Sequence, residues 1–314
     1  MNNLKKIGLT ALGTALISAG AANAATLSVS GATSIFWNGE DGSDQGNGWS
    51  MSDEVNFTAS GEMDNGWTVS TKFQIDGAAY DDRNLVIDTG DMGKITFSGH
   101  GTSGPIGSWD DVTPNANEEA HGTAVAGTQD GATNAPNTNN SFHYDYTVMD
   151  GLALKASYFP SGGSNQVESS MEYGLLYTGV DGLSLYGAMG ENNDRSGAVG
   201  KMDNSVFAVK YAMENGLSIG YQANESDSGV ANEDEDFTAI GVSYAVTEDM
   251  SISYNISEID YESSTKDNQE ATGFSFSMTN GGLTVSGSYS EIDNVAGTST
   301  ADNTGYDLNF AFAF

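Results

Sequence analysis

The chain has 314 residues, with 43 Asp and Glu against 10 Lys and Arg, a net charge of −33, 40 Gly and no Cys. So few basic residues exclude a nucleic-acid-binding surface, and 13 Phe, 14 Tyr and 4 Trp exclude a disordered acidic polymer. Beyond the N-terminal leader nothing approaches the ~18 apolar residues of a spanning helix, which excludes a helical membrane protein but not one that crosses with strands.

Lys5 and Lys6 precede a weakly apolar stretch from Ile7 to Ala22, and Ala22-Asn23-Ala24 is a small-x-small cleavage site. Residues 1–24 are therefore expected to be a removed secretory signal and residues 25–314 a single barrel domain. An exported chain without Cys folds without disulfides.

Along the rest of the chain the dominant signal has period two. Trp67, Val69, Thr71, Phe73 and Ile75 alternate with Thr68, Ser70, Lys72, Gln74 and Asp76. The alternation returns in Phe207-Val209-Tyr211, Leu217-Ile219-Tyr221 and Ile240-Val242-Tyr244, and closes the chain as Tyr306-Leu308-Phe310-Phe312-Phe314. Strand side chains point to opposite faces in turn, so each segment predicts a strand that is apolar on one side only. Tight-turn residues separate many of them: Asp64-Asn65-Gly66, Met149-Asp150-Gly151, Val180-Asp181-Gly182, Glu214-Asn215-Gly216 and Asn280-Gly281-Gly282. Thr89–Gly93 and Thr247-Glu248-Asp249 occupy equivalent places. Longer polar connections are predicted near 39–50, 77–82, 99–140, 160–166, 191–203, 225–236, 261–269 and 293–303. Seven short turns and eight long loops give sixteen antiparallel strands, the pattern of an outer-membrane β-barrel.

Proline placement agrees, because Pro105, Pro114 and Pro136 fall in the longest loop and Pro160 at a strand end. Tyr146, Tyr177, Tyr211 and Tyr244 each stand three residues before a short turn on the apolar face, the place of an interfacial aromatic girdle. The competing architecture, a soluble sandwich, would need a second apolar face that these strands lack.

The chain resembles the Gram-negative general porins, the sixteen-stranded trimeric kind. The segments carrying the resemblance are Arg83–Ile87 with Gly90–Phe97, the hairpin Glu62–Asp76, and the long third loop 99–140, which matches the family's inward-folded constriction loop. The terminal Phe314, with Phe312 and Phe310, resembles the family's signal to the barrel-assembly machinery. The resemblance implies a homotrimer in the outer membrane, joined through the first and last strands, with the loop Gly77–Asp82 as a latch onto a neighbour. It also implies pore arginines, of which only Arg83 is matched; Glu54 and His100 stand at two other such positions, and the loop lacks the family's Pro-Glu-Phe type motif.

Parity places Lys72, Lys94, Lys155 and Lys210 on the polar face, with Asp76, Asp145 and Glu172. A lysine on the lipid face would cost roughly 2–4 kcal/mol at the midplane, so that face is the lumen. Glu54, Arg83 and His100 complete the expected pore wall. Across from it, Asp110, Asp111, Glu118, Glu119 and Asp130 are expected to form an acidic constriction if the loop folds inward; the alternative is a loop exposed to the medium. Together these predict a water-filled, cation-preferring channel for passive diffusion of small hydrophilic solutes. The alternatives are a nutrient-preferring channel of the same fold and a calcium-binding surface adhesin. The acidic runs Asp41–Asp44 and Asn232–Asp236 offer oxygen ligands for incidental Ca²⁺, but no other cofactor is expected. The histidines His100, His121 and His143 raise the question of a hydrolase. Ser141 near His143 is no recognisable dyad, and no nucleophile elbow or metal-ligand pair is present, so no enzymatic activity is expected.

Overall fold

The computed structural model describes residues 23–41, 48–77, 79–120, 133–136, 139–161, 168–193 and 201–314. Sixteen strands make up almost all of it. They are β1 (Asn23–Asp41), β2 (Gly48–Glu62), β3 (Thr68–Asp76), β4 (Ala79–Asp88), β5 (Lys94–His100), β6 (Ser141–Met149), β7 (Leu152–Phe159) and β8 (Ser170–Tyr177). The second half comprises β9 (Leu183–Asn192), β10 (Met202–Ala212), β11 (Leu217–Ser228), β12 (Glu235–Thr247), β13 (Met250–Tyr261), β14 (Gln269–Asn280), β15 (Leu283–Asp293) and β16 (Asn303–Ala313). Each strand pairs with its sequence neighbours, and β16 pairs with β1 to close the barrel. All pairs are antiparallel, and closure leaves no strand edge to face lipid unsatisfied.

Turn chemistry sets the hairpins as the sequence predicts. Asn65 Oδ1 accepts the Trp67 N–H at 3.1 Å and Asn215 Oδ1 the Leu217 N–H at 3.1 Å, while Gly66 and Gly216 both adopt a φ of 83–86° that a side chain would strain. The long connections differ in one respect. β4 begins at Ala79, so the loop expected over Gly77–Asp82 shrinks to residues 77–78.

The apolar parity faces outward. Met51, Phe207, Tyr254 and Phe274 are among a belt of large apolar side chains left exposed on the outer surface, as lipid contact requires. The belt's lower rim holds the four expected tyrosines. Tyr146 stands opposite Leu154, Tyr177 opposite Leu152, Tyr211 opposite Leu183, and Tyr244 opposite Leu217, each at the short-turn end. The C-terminal strand ends against β1, where Gly31 N–H donates to the Phe314 carbonyl at 2.9 Å and Phe314 N–H returns a bond at 3.0 Å. Gly31 fits there because a Cβ would meet the Phe314 ring at 2.9 Å. Phe310 and Phe312 share the outward face, with Phe310 stacked on Trp49.

The barrel has no conventional core. The buried side chains lie on the inner face, many of them between the third long loop and the wall.

Candidate functional site

The connection between β5 and β6 leaves the wall at Gly101 and turns into the lumen. Its first element is a single helical turn, α1 (Pro105–Trp109). Ile106 and Trp109 pack on Ala188 and Val206, with the Trp109 ring edge-on to Tyr186 at 5.6 Å. These partners come from the lumen parity of β9 and β10, so the inner face carries an apolar patch that serves the loop. Glu172 of β8 holds the start of the turn, its Oε2 accepting the Ile106 N–H at 3.1 Å.

Beyond α1 the loop runs along the inner face of successive strands, tied to each by amide and hydroxyl side chains. Gln222 on β11 is bonded twice, donating to the Trp109 carbonyl at 3.0 Å and accepting the Val112 N–H at 2.9 Å. Asn224 donates to the Asp110 carbonyl at 3.0 Å. Asn255 on β13 donates to the Pro114 carbonyl at 3.1 Å, and Ser253 accepts the Ala116 N–H at 2.9 Å. Asn117 reaches Ser288 at 2.7 Å and Asp307 at 3.2 Å, on β15 and β16. On the return, Asn134 accepts from Asn192 and donates its N–H to Asn204 Oδ1 at 3.0 Å. A loop backbone taken out of bulk water needs such partners, since each buried orphan costs about 1–3 kcal/mol.

Close approach also needs missing side chains. A Cβ on Gly174 would stand 2.6 Å from Pro105 and Trp109, one on Gly220 2.5 Å from Pro114, one on Gly241 2.8 Å from the Pro114 carbonyl, and one on Gly273 2.8 Å from Ala120. All four belong to the lumen parity of β8, β11, β12 and β14. They form a trough along which the loop lies, and sequence reasoning missed it. The signal was there, as glycines at strand positions without turn chemistry.

The loop's carboxylates divide. Asp111 is exposed and Glu118 is half-buried. Asp110 turns inward to accept from the Thr133 hydroxyl at 2.6 Å, and burial pushes its pKa up. Glu119 is buried, accepts from Asn115, and shares a hydrogen bond with Glu118; burial first, then the neighbouring carboxylate, raises its pKa well above the carboxylate range. Among the described residues the loop's acid is thus carried at its surface by Asp111 and Glu118, while Asp110 and Glu119 turn inward. Asp130 and His121 lie outside the described residues.

The β2–β7 wall places its charges on the lumen parity, with two of its lysines in ion pairs. Lys72 Nζ lies 2.9 Å from Asp82 Oδ2, and Lys155 Nζ 2.5 Å from Asp145 Oδ1. Lys94 is in register with Asp88 and Asp145. Glu54 is held by Gln74 at 2.8 Å and Asn56 at 3.1 Å, beside Asp76 in register. Lys210 sits low on β10, opposite Ser184 and Gly220.

Arg83 departs from its expected place. It alternates with the outward Leu85 and Ile87 and stands opposite Phe73, whose ring meets Phe57 and Tyr80 on the outer face. The register therefore turns Arg83 outward, against Gly99, and removes the one matched arginine from the pore. His100 lies instead beside Asp81, with Nδ1 3.7 Å from its Oδ1.

A sequence pattern for Gram-negative porins matches residues 8–279. The chain belongs to the Gram-negative porins. Solved structures agree on the fold. An anion-selective porin from Comamonas acidovorans aligns with a TM-score of 0.70 at 12% identity, over 93% of this chain and 100% of that one. OmpT, an outer membrane protein of Vibrio cholerae, aligns at 0.68 with 16% identity, over 93% and 98%. A mutant porin of Rhodopseudomonas blastica aligns at 0.64 with 17% identity, over 92% and 100%. No curated protein sequence matches the chain. The porin's place is the outer membrane, and its fold is that of a channel rather than an enzyme.

Ser141 and Ser157 both bond His143, at 2.7 and 2.8 Å, but no carboxylate orients the ring and both hydroxyl residues are buried. The arrangement bridges β6 and β7 beneath the loop. In Asn232–Asp236, Asp234 already accepts the Ser228 N–H at 2.7 Å and Glu233 the Ser228 hydroxyl at 3.4 Å. Residues 42–44 of the other acidic run lie outside the described residues.

Proposed function

We propose that this porin is a cation-preferring channel for passive diffusion of small hydrophilic solutes. The observation that carries the proposal is the pairing of the wall lysines. Lys72 and Lys155 each stand within 3 Å of a wall carboxylate, so neither presents a lone positive charge to the lumen. Screening limits each charge to about 8 Å at physiological salt, so the groups nearest the narrow section set the field. There Asp111 and Glu118 add acid to a lumen in which Lys72 and Lys155 are paired and Arg83 is turned outward. An acidic lining favours cations.

The anion-selective character named for the Comamonas acidovorans protein belongs to that protein; at 12% identity the likeness is one of fold. Bilayer recordings across a salt gradient test the proposal: a zero-current potential of the sign for cation passage supports it, and the opposite sign refutes it.

The same reading includes a homotrimer, assembled through the wall around β1 and β16. Phe314, exposed at the end of β16, is the feature offered to the barrel-assembly machinery. Mass measurement of the folded protein in mild detergent tests the trimer, and a monomer would refute it.

A further inference from the structure

We propose that Asp81, Asp82 and His100 form a binding site for a divalent transition-metal ion of the zinc type at the root of the pore loop. The register between β3 and β4 passes from Phe73 opposite Arg83 to Ile75 opposite Tyr80, so Asp81 and Asp82 together oppose the single residue Gln74. That is a β-bulge, which breaks the alternation and brings two consecutive carboxylates to one place. From the next strand comes His100, the last residue of β5.

One ligand atom from each of the three lies within 4.8 Å of the others. The His100 ring is half-exposed at 43%, yet its Nδ1 is shielded from water and makes no hydrogen bond. At 3.7 Å the Asp81 carboxylate is too far to satisfy it as a hydrogen-bond acceptor. A shielded imidazole nitrogen with no partner, aimed at two carboxylates, is a set of donors completed by a metal. Gly101 makes room for the Asp82 carboxylate, since a Cβ there would collide with Oδ1 at 1.7 Å. Lys72 holds the other oxygen, Oδ2, at 2.9 Å.

One imidazole and two carboxylates give three protein ligands with a position left for water or solute. The imidazole selects zinc, nickel or copper over calcium and magnesium, which take oxygen alone. Bond lengths of about 2.0–2.2 Å require the Asp81 and His100 side chains to close on the ion. Gly101 is also where the loop departs the wall, so the bound ion would stand at the entrance to the constriction and add positive charge there.

The test is calorimetric titration of the folded full-length porin in detergent with zinc chloride, beside calcium chloride, and of His100→Ala and Asp81→Asn. Heat-modifiable gel migration selects folded variants. The expected result is one zinc per chain, a loss of affinity of at least about tenfold in either variant, and weaker binding of calcium. Zinc should also change the single-channel conductance of the unmodified porin and not that of His100→Ala. Absence of zinc binding, zinc affinity unchanged in both variants, or calcium binding as tightly as zinc would overturn the proposal.

Discussion

Glu172 Oε2 accepts the Ile106 N–H at 3.1 Å, joining β8 to the first turn of α1 across the inner face of the barrel. Gly104 permits the approach, because a Cβ there would lie 2.0 Å from the same oxygen. The constriction is therefore clamped at its start by one fully buried side chain.

Replacing that carboxyl should loosen the loop without unfolding the barrel. Glu172→Ala leaves the Ile106 N–H without its acceptor, at a cost of about 1–3 kcal/mol to loop docking. Single-channel traces should become noisier, with more frequent conductance steps. Glu172→Gln keeps an acceptor oxygen and should restore quiet traces.

The glycine trough makes an opposite prediction. Gly174→Ala places a methyl group where Pro105 and Trp109 now lie at 2.6 Å, so α1 must move off the wall into the opening. Overpacking of this kind costs about 1–3 kcal/mol. Conductance should fall and thermal stability with it. Gly187→Ala, with nothing within 4 Å of the new Cβ, is the control and should change neither.

The barrel is legible in the sequence and the trough is not, for reasons that lie in the residues themselves. Phe73 and Ile75 beside Lys72 and Gln74 announce parity directly, and Asn-Gly turns at 65–66 and 215–216 fix where strands end. The lumen face has no such grammar. Gly174, Gln222 and Asn255 read as ordinary polar-side positions, and only the third long loop lying on them gives each a role. Val206 and Ala208 look like breaks in the alternation, yet they belong to the inner face that α1 covers. Arg83 shares the parity of the outward Leu85 and Ile87, and only its resemblance to a pore arginine argues for the lumen. What the sequence hides is the bulge beside it, where Asp81 and Asp82 oppose the single residue Gln74.

Glu119 gives the docked loop a pH dependence. Its pKa is raised from 4.5 to about 9 by burial and by Glu118, so the docked loop holds a proton that a released loop would lose. Docking is then strongest at and below the ordinary carboxylate range and weakens as pH rises towards about 9. Channel noise recorded from about pH 6 to about pH 10, a span that brackets the raised value, should increase on the alkaline side. Glu119→Gln, neutral throughout, should remain quiet; an alkaline rise in that variant would show that another group is responsible.

The central claim is that an acidic loop, with Lys72 and Lys155 of the wall held in ion pairs, makes this porin favour cations. The most direct measurement is the zero-current potential across a planar bilayer under a potassium chloride gradient, for the unmodified porin, Asp111→Asn with Glu118→Gln, and Arg83→Ala. The unmodified channel should show cation preference that declines at high salt. The double variant should move towards no preference, and Arg83→Ala, on the outer face, should leave the potential unchanged. Anion preference in the unmodified porin, or a shift in Arg83→Ala as large as that in the double variant, would contradict the account.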